Sequence, residues 1–525
     1  MKYFCTAGPI QSDIHYYIPP LDRWNKVEML DLIAARKYFI LHAPRQTGKT
    51  TCMLALVKEL NWTGNYRALY MNVEAAQAAR DDSNRAIRII LSRLGHEASS
   101  GLGDSFPDER ALEIFRSGET GDAITRILSE WCARDPRPVV LMVDEIDALI
   151  GDSLISVLRQ LRSGYEKRPE RFPQSIILCG VRDVRDYRIH SSSTKEIITG
   201  GSAFNVKAKS LRLGDFTPED VRRLYEQHTT ETGQRFEEDV YALVWDLTRG
   251  QPWLVNALAQ EACFEMVENR DRTRTITAEI VQEAKERLIV GRETHLDQLA
   301  DKLLEERVRR VVQPILANEE KGVGAEFADD VQYLIDLGLL RRSGVGLEIA
   351  NAIYKEVIPR ELNFGIQLDF EALQRSEWYI GADGRIEMEK LMLAFQQFFR
   401  ENAEIWLERF KYREAGPQLL LQAFLQRVVN GGGRIEREYG LGRKRTDLLV
   451  IWKHPGGVQR VVIEIKVVRG SMARVMEQGL AQTAEYMDRC GAAEGHLVIF
   501  DAVSARSWDE KISHHREGAI EVWGM

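Results

Sequence analysis

Six cysteines (Cys5, Cys52, Cys132, Cys179, Cys263 and Cys490) are all that the 525 residues contain, and none stands in a CxxC or Cys/His spacing. That scarcity excludes a cysteine-built zinc site and a disulfide scaffold. It fits a reducing compartment, so a cytoplasmic location is expected. Long apolar runs are missing too: none approaches the ~18–20 residues of a membrane span, and no membrane partner is expected. The opening stretch MKYFCTAGPIQSD lacks the apolar centre of a secretory signal. Positive charge is not in excess, with 71 Lys and Arg against 79 Asp and Glu and a formal net charge of −8. A chain that coats nucleic acid electrostatically is therefore not expected, although a local basic groove remains open. Low-complexity tracts and fixed-period repeats are absent. What is there is 44% hydrophobic and 29% charged, a balance that rules out wholesale disorder. At ~100–200 residues per domain, three or four domains are expected.

Residues 36–42 read as a short buried strand, followed by a Pro/Gly turn and a helix over Thr50–Leu60. A second apolar strand, Pro138–Val143, ends in Asp144-Glu145-Ile146-Asp147, and a third, Ser175–Cys179, ends in Gly180. Strands alternating with helical stretches predict βα units and a parallel sheet. From Thr217 to about Val290 the pattern is helical, interrupted at Gly250-Gln251-Pro252. Between Leu299 and Pro359 short helices precede a hairpin at Leu339–Ile349, the element order of a winged helix. A helix around Glu387–Phe410 leads to a boundary at Gly416-Pro417. A second α/β pattern follows: helix Gln418–Val429, the Gly431-Gly432-Gly433 break, strands near Leu448–Trp452 and Val461–Val467, and a helix around Ala473–Asp488.

The string Ala43-Pro44-Arg45-Gln46-Thr47-Gly48-Lys49-Thr50 matches the phosphate-binding pattern G-x-x-x-x-G-K-[ST], with Ala43 at the first glycine and Thr51 following. Such a loop turns backbone N–H groups toward phosphates, places a Lys on the β/γ oxygens and supplies a hydroxyl, here Thr50, for Mg²⁺. The partner signal is Asp144-Glu145, with Asp144 95 positions after Lys49. Asp144 is expected to hold the Mg²⁺ through water, and Glu145 to activate the attacking water as general base. These residues resemble the P-loop ATPases of the AAA+/STAND group, over roughly residues 1–290. The resemblance implies an adenine-contacting lead segment at Tyr16–Arg23, a sensor residue at Arg182, and a lid residue, Pro252, placed against the nucleotide. It implies ATP and Mg²⁺ as cofactors.

In the C-terminal part, Asp447 lies 17 residues before Glu464 in Val461-Val462-Ile463-Glu464-Ile465-Lys466. Strand periodicity puts Glu464 and Lys466 on one face and turns Ile463 and Ile465 into the core. A hairpin about His454–Gly457 would pair Asp447 with Ile465 or Lys466, so that two carboxylates and an amine converge. That trio suits a Mg²⁺ held between carboxylates with a Lys stabilising the nucleophile or transition state. An amphipathic hairpin with a surface Glu–Lys pair is the plainer reading. With Gln482 and Tyr486 downstream, these residues resemble the PD-(D/E)XK phosphodiesterases. The family's carboxylate on its first core helix is replaced here by Gln418 and Gln422, and Glu414 precedes that helix. Arg443-Lys444-Arg445, just before Asp447, could meet a phosphate backbone.

The predicted fold class is therefore α/β. A P-loop ATPase core (1–215) with a helical lid (216–295) precedes a winged-helix-like part (296–365). A helical linker (366–412) and a PD-(D/E)XK restriction-endonuclease-like domain (413–525) follow. This order resembles a bacterial group of AAA-like ATPases with a C-terminal nuclease. The helix Asp329–Leu337, with Asp329, Asp330, Asp336 and no basic residue, would repel phosphates. It reads as a coupling element rather than a DNA reader. The expected function is an ATPase whose nucleotide state controls a nucleic-acid-cutting module, with defence against mobile DNA as a setting. The alternatives are a regulatory ATPase whose nuclease-like domain only binds nucleic acid or a protein partner, and a nucleotide-binding scaffold without turnover. Homo-oligomer formation stays open.

Overall fold

Strand β1 (Tyr38–His42) is apolar along its length, and successive side chains go to opposite faces of one sheet. Tyr38 and Ile40 enter a core on one face, and Phe39 and Leu41 enter a second core on the other. The same division holds in β2 (Arg67–Asn72), β3 (Val139–Asp144) and β4 (Ser175–Gly180). With β5 (Lys207–Arg212) these form a sheet of order β2-β3-β4-β1-β5, every described pairing parallel. Of these, β1, β3 and β4 are covered on both faces and read as continuous apolar runs, which made them legible as buried, whereas β2 and the partly exposed β5 were not expected from the sequence. Each core aliphatic contributes ~1.5–3 kcal/mol by leaving water.

The computed structural model describes residues 1–118, 120–183, 188–190, 197–199, 204–291, 294–316, 327–344, 346–362, 379–409, 421–422, 424–425, 434–441, 444–468, 471–501 and 507–525. Two compact units result: residues 1–291 with 332–340, and residues 292–331 with 341–525.

In the first unit, helices α1 (Lys26–Ala34) and α2 (Lys49–Trp62) cover one face. Helices α3 (Ser83–Leu102), α4 (Phe106–Ser117), α5 (Ala123–Cys132) and α6 (Gly151–Ser163) cover the other. Four helices follow: α7 (Pro218–Thr232), α8 (Glu238–Thr248), α9 (Pro252–Gln260) and α10 (Ala278–Val290). A capping box at Thr217 and Asp220 starts the first of them. Gly250 sits at φ +77°, and a Cβ there would lie 2.1 Å from the Phe216 carbonyl, so only glycine permits this return of the chain.

Helices α11 (Thr294–Leu303), α12 (Glu306–Leu316) and α13 (Ala328–Asp336) precede the paired strands β6 (Leu340–Ser343) and β7 (Gly346–Ile349), then α14 (Ala352–Leu362). The first four residues of α13 belong to the second unit and the rest to the first. Of its three acids Asp329 is exposed, but Asp330 and Asp336 are buried rather than turned to solvent. Asp330 is 8% exposed and pairs with Arg307 and Arg310, while Asp336 is 3% exposed and pairs with Arg182. Burial of carboxylates without partners would be costly, and the arginines offset it.

Helix α15 (Met388–Arg409) leads into a six-stranded sheet in the second unit. Its strands are β8 (Arg434–Leu441), β9 (Lys444–His454), β10 (Gly457–Val468), β11 (Glu494–Asp501), β12 (Ser513–Glu517) and β13 (Ile520–Gly524), in the order β8-β9-β10-β11-β13-β12. Helix α16 (Met472–Cys490) packs Tyr486 and Met487 against Val462, Leu497 and Ile499. Glu414, the Gly416-Pro417 boundary, Gln418, most of the helix expected at 418–429, the Gly431-Gly432-Gly433 break, Arg443, and residues 366–378 and 410–412 of the linker lie outside the described residues.

Candidate functional sites

Lys49 is the first residue of α2, and Gly48 before it caps the helix at φ +91°. The Lys49 ammonium is 6% exposed. It donates to the carbonyls of Ala43 at 3.0 Å and Pro44 at 2.9 Å, which fixes it across the loop. The Thr47 hydroxyl, fully buried, also donates to the Pro44 carbonyl, at 2.8 Å. Gln46 takes φ +56°, while Arg45 is exposed on the rim. Ala43, in place of the glycine of the pattern, is buried, and its N–H donates to the Gly180 carbonyl at 3.3 Å. Thr51 accepts from the Ile10 N–H at 3.2 Å.

Asp144 ends β3, fully buried. Its Oδ2 accepts the Thr50 hydroxyl at 2.7 Å and the Tyr70 hydroxyl at 2.9 Å, and its Oδ1 accepts the Glu145 N–H. Tyr70 was not visible in the sequence as a site residue, since nothing near it in the chain marks a partner 74 positions away. Glu145 takes a left-handed backbone (φ +56°), uncommon for a residue with a side chain and frequent where geometry is functional. Burial raises its carboxyl above the usual range, Asp147 adds to this, and the Lys49 ammonium opposes it. A hydroxyl and a carboxylate at this distance are hard oxygen donors that fit Mg²⁺.

The sheet order places β4 between the strands bearing the loop and Asp144. Arg182 follows β4, 5.0 Å from the Tyr333 ring, with its Nε 3.4 Å from Asp336 Oδ2. Its described partners thus lie in the 332–340 segment. A cleft opens beside the loop. Gly48 and Thr51 line it, as do Ile18, Pro20 and Arg23 of the lead segment and Pro252 and Trp253 of α9. Tyr16, expected in that lead segment, turns instead to His228, with its hydroxyl 3.2 Å from Nδ1. The stretch Cys5–Gly8 also lines the cleft, tied to α9 by the Trp253 indole N–H donating to the Thr6 carbonyl at 2.8 Å. Sequence reasoning missed it because its partner lies 247 residues on.

In the second unit the turn of the β9–β10 hairpin is only Pro455-Gly456, with His454 opposite Gly457 and Leu448 opposite Ile463. One step further puts Asp447 opposite Glu464, not opposite Ile465 or Lys466 as expected. The tight turn shifts the register. The Ile465 N–H donates to Asp447 Oδ2 at 2.8 Å, and the Asp447 N–H reaches Glu464 Oε2 at 3.4 Å. Lys466 Nζ donates to Glu464 Oε1 at 2.7 Å. Glu464 is itself buried at 3% exposure, because this strand is covered on both faces from Val461 to Ile465. Burial, with the nearby Asp447 carboxylate, raises the Glu464 carboxyl above its usual range. Tyr486 is raised by burial and then by the Glu464 and Asp447 carboxylates. Gln482 lies on the same helix, its Oε1 buried without a hydrogen-bond partner. Two carboxylates suit a divalent cation, and among the described residues no group of three or more His, Cys, Asp or Glu is placed to hold a metal.

No described helix is long and apolar enough to cross a membrane. No curated protein is matched by the sequence. A Walker-type ATPase of Pyrococcus abyssi is similar in structure at 13% identity, over 68% of this chain and 99% of its own, with a TM-score of 0.43. Cdc6p of Pyrobaculum aerophilum is similar at 15% identity, over 67% and 97%, with a TM-score of 0.38. The RuvB Holliday junction branch migration motor of Thermotoga maritima is similar at 16% identity, over 63% and 92%, with a TM-score of 0.33. The stretch that carries the loop and the acidic pair, residues 34–187, matches the AAA domain family, so the chain contains an AAA-type P-loop ATPase domain there.

Proposed function

We propose that the chain binds and hydrolyses ATP as a STAND-like switch, and that its nucleotide state controls a metal-dependent, PD-(D/E)XK-like nuclease module at 413–525. The observation that carries the first half is the convergence of Lys49, Thr50 and Asp144 beside a loop that lines a cleft. Lys49 would hold the β/γ-phosphates, and Thr50 and Asp144 would hold Mg²⁺. Bound there, the cation supplies positive charge to phosphate oxygens. Glu145 would take the proton of the attacking water. Its raised carboxyl, held by a left-handed backbone, supports that role. Arg182 would act as the sensor, Pro252 would close the lid on the base, and residues 296–365 would act as a winged-helix coupling element. A homo-oligomer and a role in defence against mobile DNA belong to this reading.

For the second half, Asp447 and Glu464 would hold a divalent cation and Lys466 would face the scissile phosphate, with Gln482 orienting the backbone. The binding-only alternative is kept by one observation: two carboxylates, and no third, stand together among the described residues. Incubation with plasmid, linear and single-stranded DNA and with RNA, in Mg²⁺ or Mn²⁺, with and without ATP, separates the two. Cleavage that depends on metal and responds to ATP supports a controlled nuclease. Retention without cleavage, weakening as salt rises, supports a binding module.

A further inference from the structure

Arg23 closes the short turn Pro20–Arg23 and reaches two parts of the first unit at once. One guanidinium nitrogen, Nη1, donates to the Thr47 carbonyl at 2.6 Å, and Nη2 donates to the Gly214 carbonyl at 2.6 Å. The guanidinium carbon lies 4.8 Å from the centre of the Phe216 ring. Gly48 sits so close beneath it that a Cβ there would be 2.8 Å from Nη1. Phe216 in turn donates its N–H to the Gly250 carbonyl at 2.8 Å, two residues before the cleft-lining Pro252.

We propose that Arg23 is a positioning residue that sets the Thr47–Gly48 peptide of the phosphate loop and ties it to Gly214–Phe216 at the start of the lid. The inference rests on reading that loop as a nucleotide site. In a trans peptide the carbonyl and the following N–H point to opposite sides. Holding the Thr47 carbonyl toward Arg23 therefore turns the Gly48 N–H away from the guanidinium and fixes it for an anion. The planar fork holds two carbonyls from distant parts of the chain in one fixed geometry. A lysine ammonium carries the same charge but lacks that fork. The contact over Phe216 adds attraction between the cation and the ring face. Loop geometry and lid position thus share one side chain.

The test uses the full chain with Arg23→Lys, Arg23→Gln and Phe216→Leu. It measures thermal melting, the affinity for a fluorescent ADP, and displacement of that ADP by pyrophosphate, which has no base and competes through the loop alone. Arg23→Lys is expected to weaken ADP and pyrophosphate together by about tenfold, the scale of lost charged hydrogen bonds. Melting without nucleotide should change little. Phe216→Leu should weaken pyrophosphate severalfold although pyrophosphate cannot reach the ring. Weaker ADP with unchanged pyrophosphate in Arg23→Lys would assign the residue to the base and overturn the proposal. Unchanged pyrophosphate in Phe216→Leu would overturn the link to the lid, and it decides the matter even if the Arg23 variants fail to fold. A wild-type chain that binds neither probe would refute the nucleotide reading itself.

Discussion

The Thr50 hydroxyl donates to Asp144 Oδ2 at 2.7 Å, joining residues 94 positions apart at one point above the parallel sheet. If that pair holds Mg²⁺, Asp144→Asn keeps the shape and loses the charge. Nucleotide affinity without metal should stay within about twofold, and the gain on adding Mg²⁺ should vanish. A preserved Mg²⁺ gain in titration calorimetry would remove Asp144 from the metal site.

Lys49 and Glu145 should fail differently. Lys49→Ala removes the charge fixed across the loop and should weaken ATP binding outright. Glu145→Gln should leave ATP bound while turnover falls by about 10²–10⁴, the scale of a lost general base. Equal hydrolysis rates in Glu145→Gln and wild type would sink the assignment.

The C-terminal pair gives a sharper contrast. Mn²⁺ or Mg²⁺ should raise the melting temperature, and Asp447→Asn should abolish that rise and any cleavage. Lys466→Ala should keep most of the metal-induced rise, because an ammonium is no ligand, and still lose cleavage. Cleavage that persists in Asp447→Asn would place the chemistry elsewhere.

Asp330 is predicted to matter for stability rather than for nucleic acid. Asp330→Asn leaves Arg307 and Arg310 without their shared carboxylate. Since both arginines are more than a third exposed, screening limits the loss to about 1–2 kcal/mol, read as a lower melting point. An unchanged melting point would show that the two pairs are energetically idle.

A buried histidine should shape the acid limb of stability. Burial lowers His295 from its usual 6.5 to about 4, and its Nε2 shares a hydrogen bond with the Tyr354 hydroxyl. The unfolded chain takes up a proton there first. The native-state advantage is therefore complete above about pH 6.5 and drains as pH falls toward 4. The drain is worth up to about 3 kcal/mol. His295→Gln should flatten the loss over that window in a pH series of melts, and an identical slope would contradict it.

The parts legible in the sequence were those whose chemistry is local. Ala43–Thr50 carries its spacing within eight residues, and Asp144-Glu145 stands out as acid directly after an apolar strand. The strand Tyr38–His42 announced itself because both faces are covered. Contacts between distant residues left no local mark: Arg23 with Gly214, Tyr70 with Asp144, Thr6 with Trp253. Other features were set by packing that local sequence does not show. Alternation set Glu464 and Lys466 on a face apart from the core-facing Ile463 and Ile465, but burial runs through both faces from Val461 to Ile465 and takes in Glu464. Acid count marked the helix Asp329–Leu337 as repulsive to phosphates, and nothing in that stretch foretold the arginines that meet Asp330 and Asp336.

The position of β1 inside its sheet has a consequence for synthesis. Its two neighbours, β4 and β5, are made long after it, since Leu41 pairs with Cys179 and Leu211. The phosphate loop leaves the ribosome early, yet its supporting strand gains its first neighbour, β4, only about 140 residues later and its second, β5, about 170 residues later. At ~5–20 residues per second the first of these is a wait of roughly 7–28 s with an apolar strand exposed. The apolar strand Tyr38–His42 therefore has to be kept from aggregating until β4, and then β5, has been made.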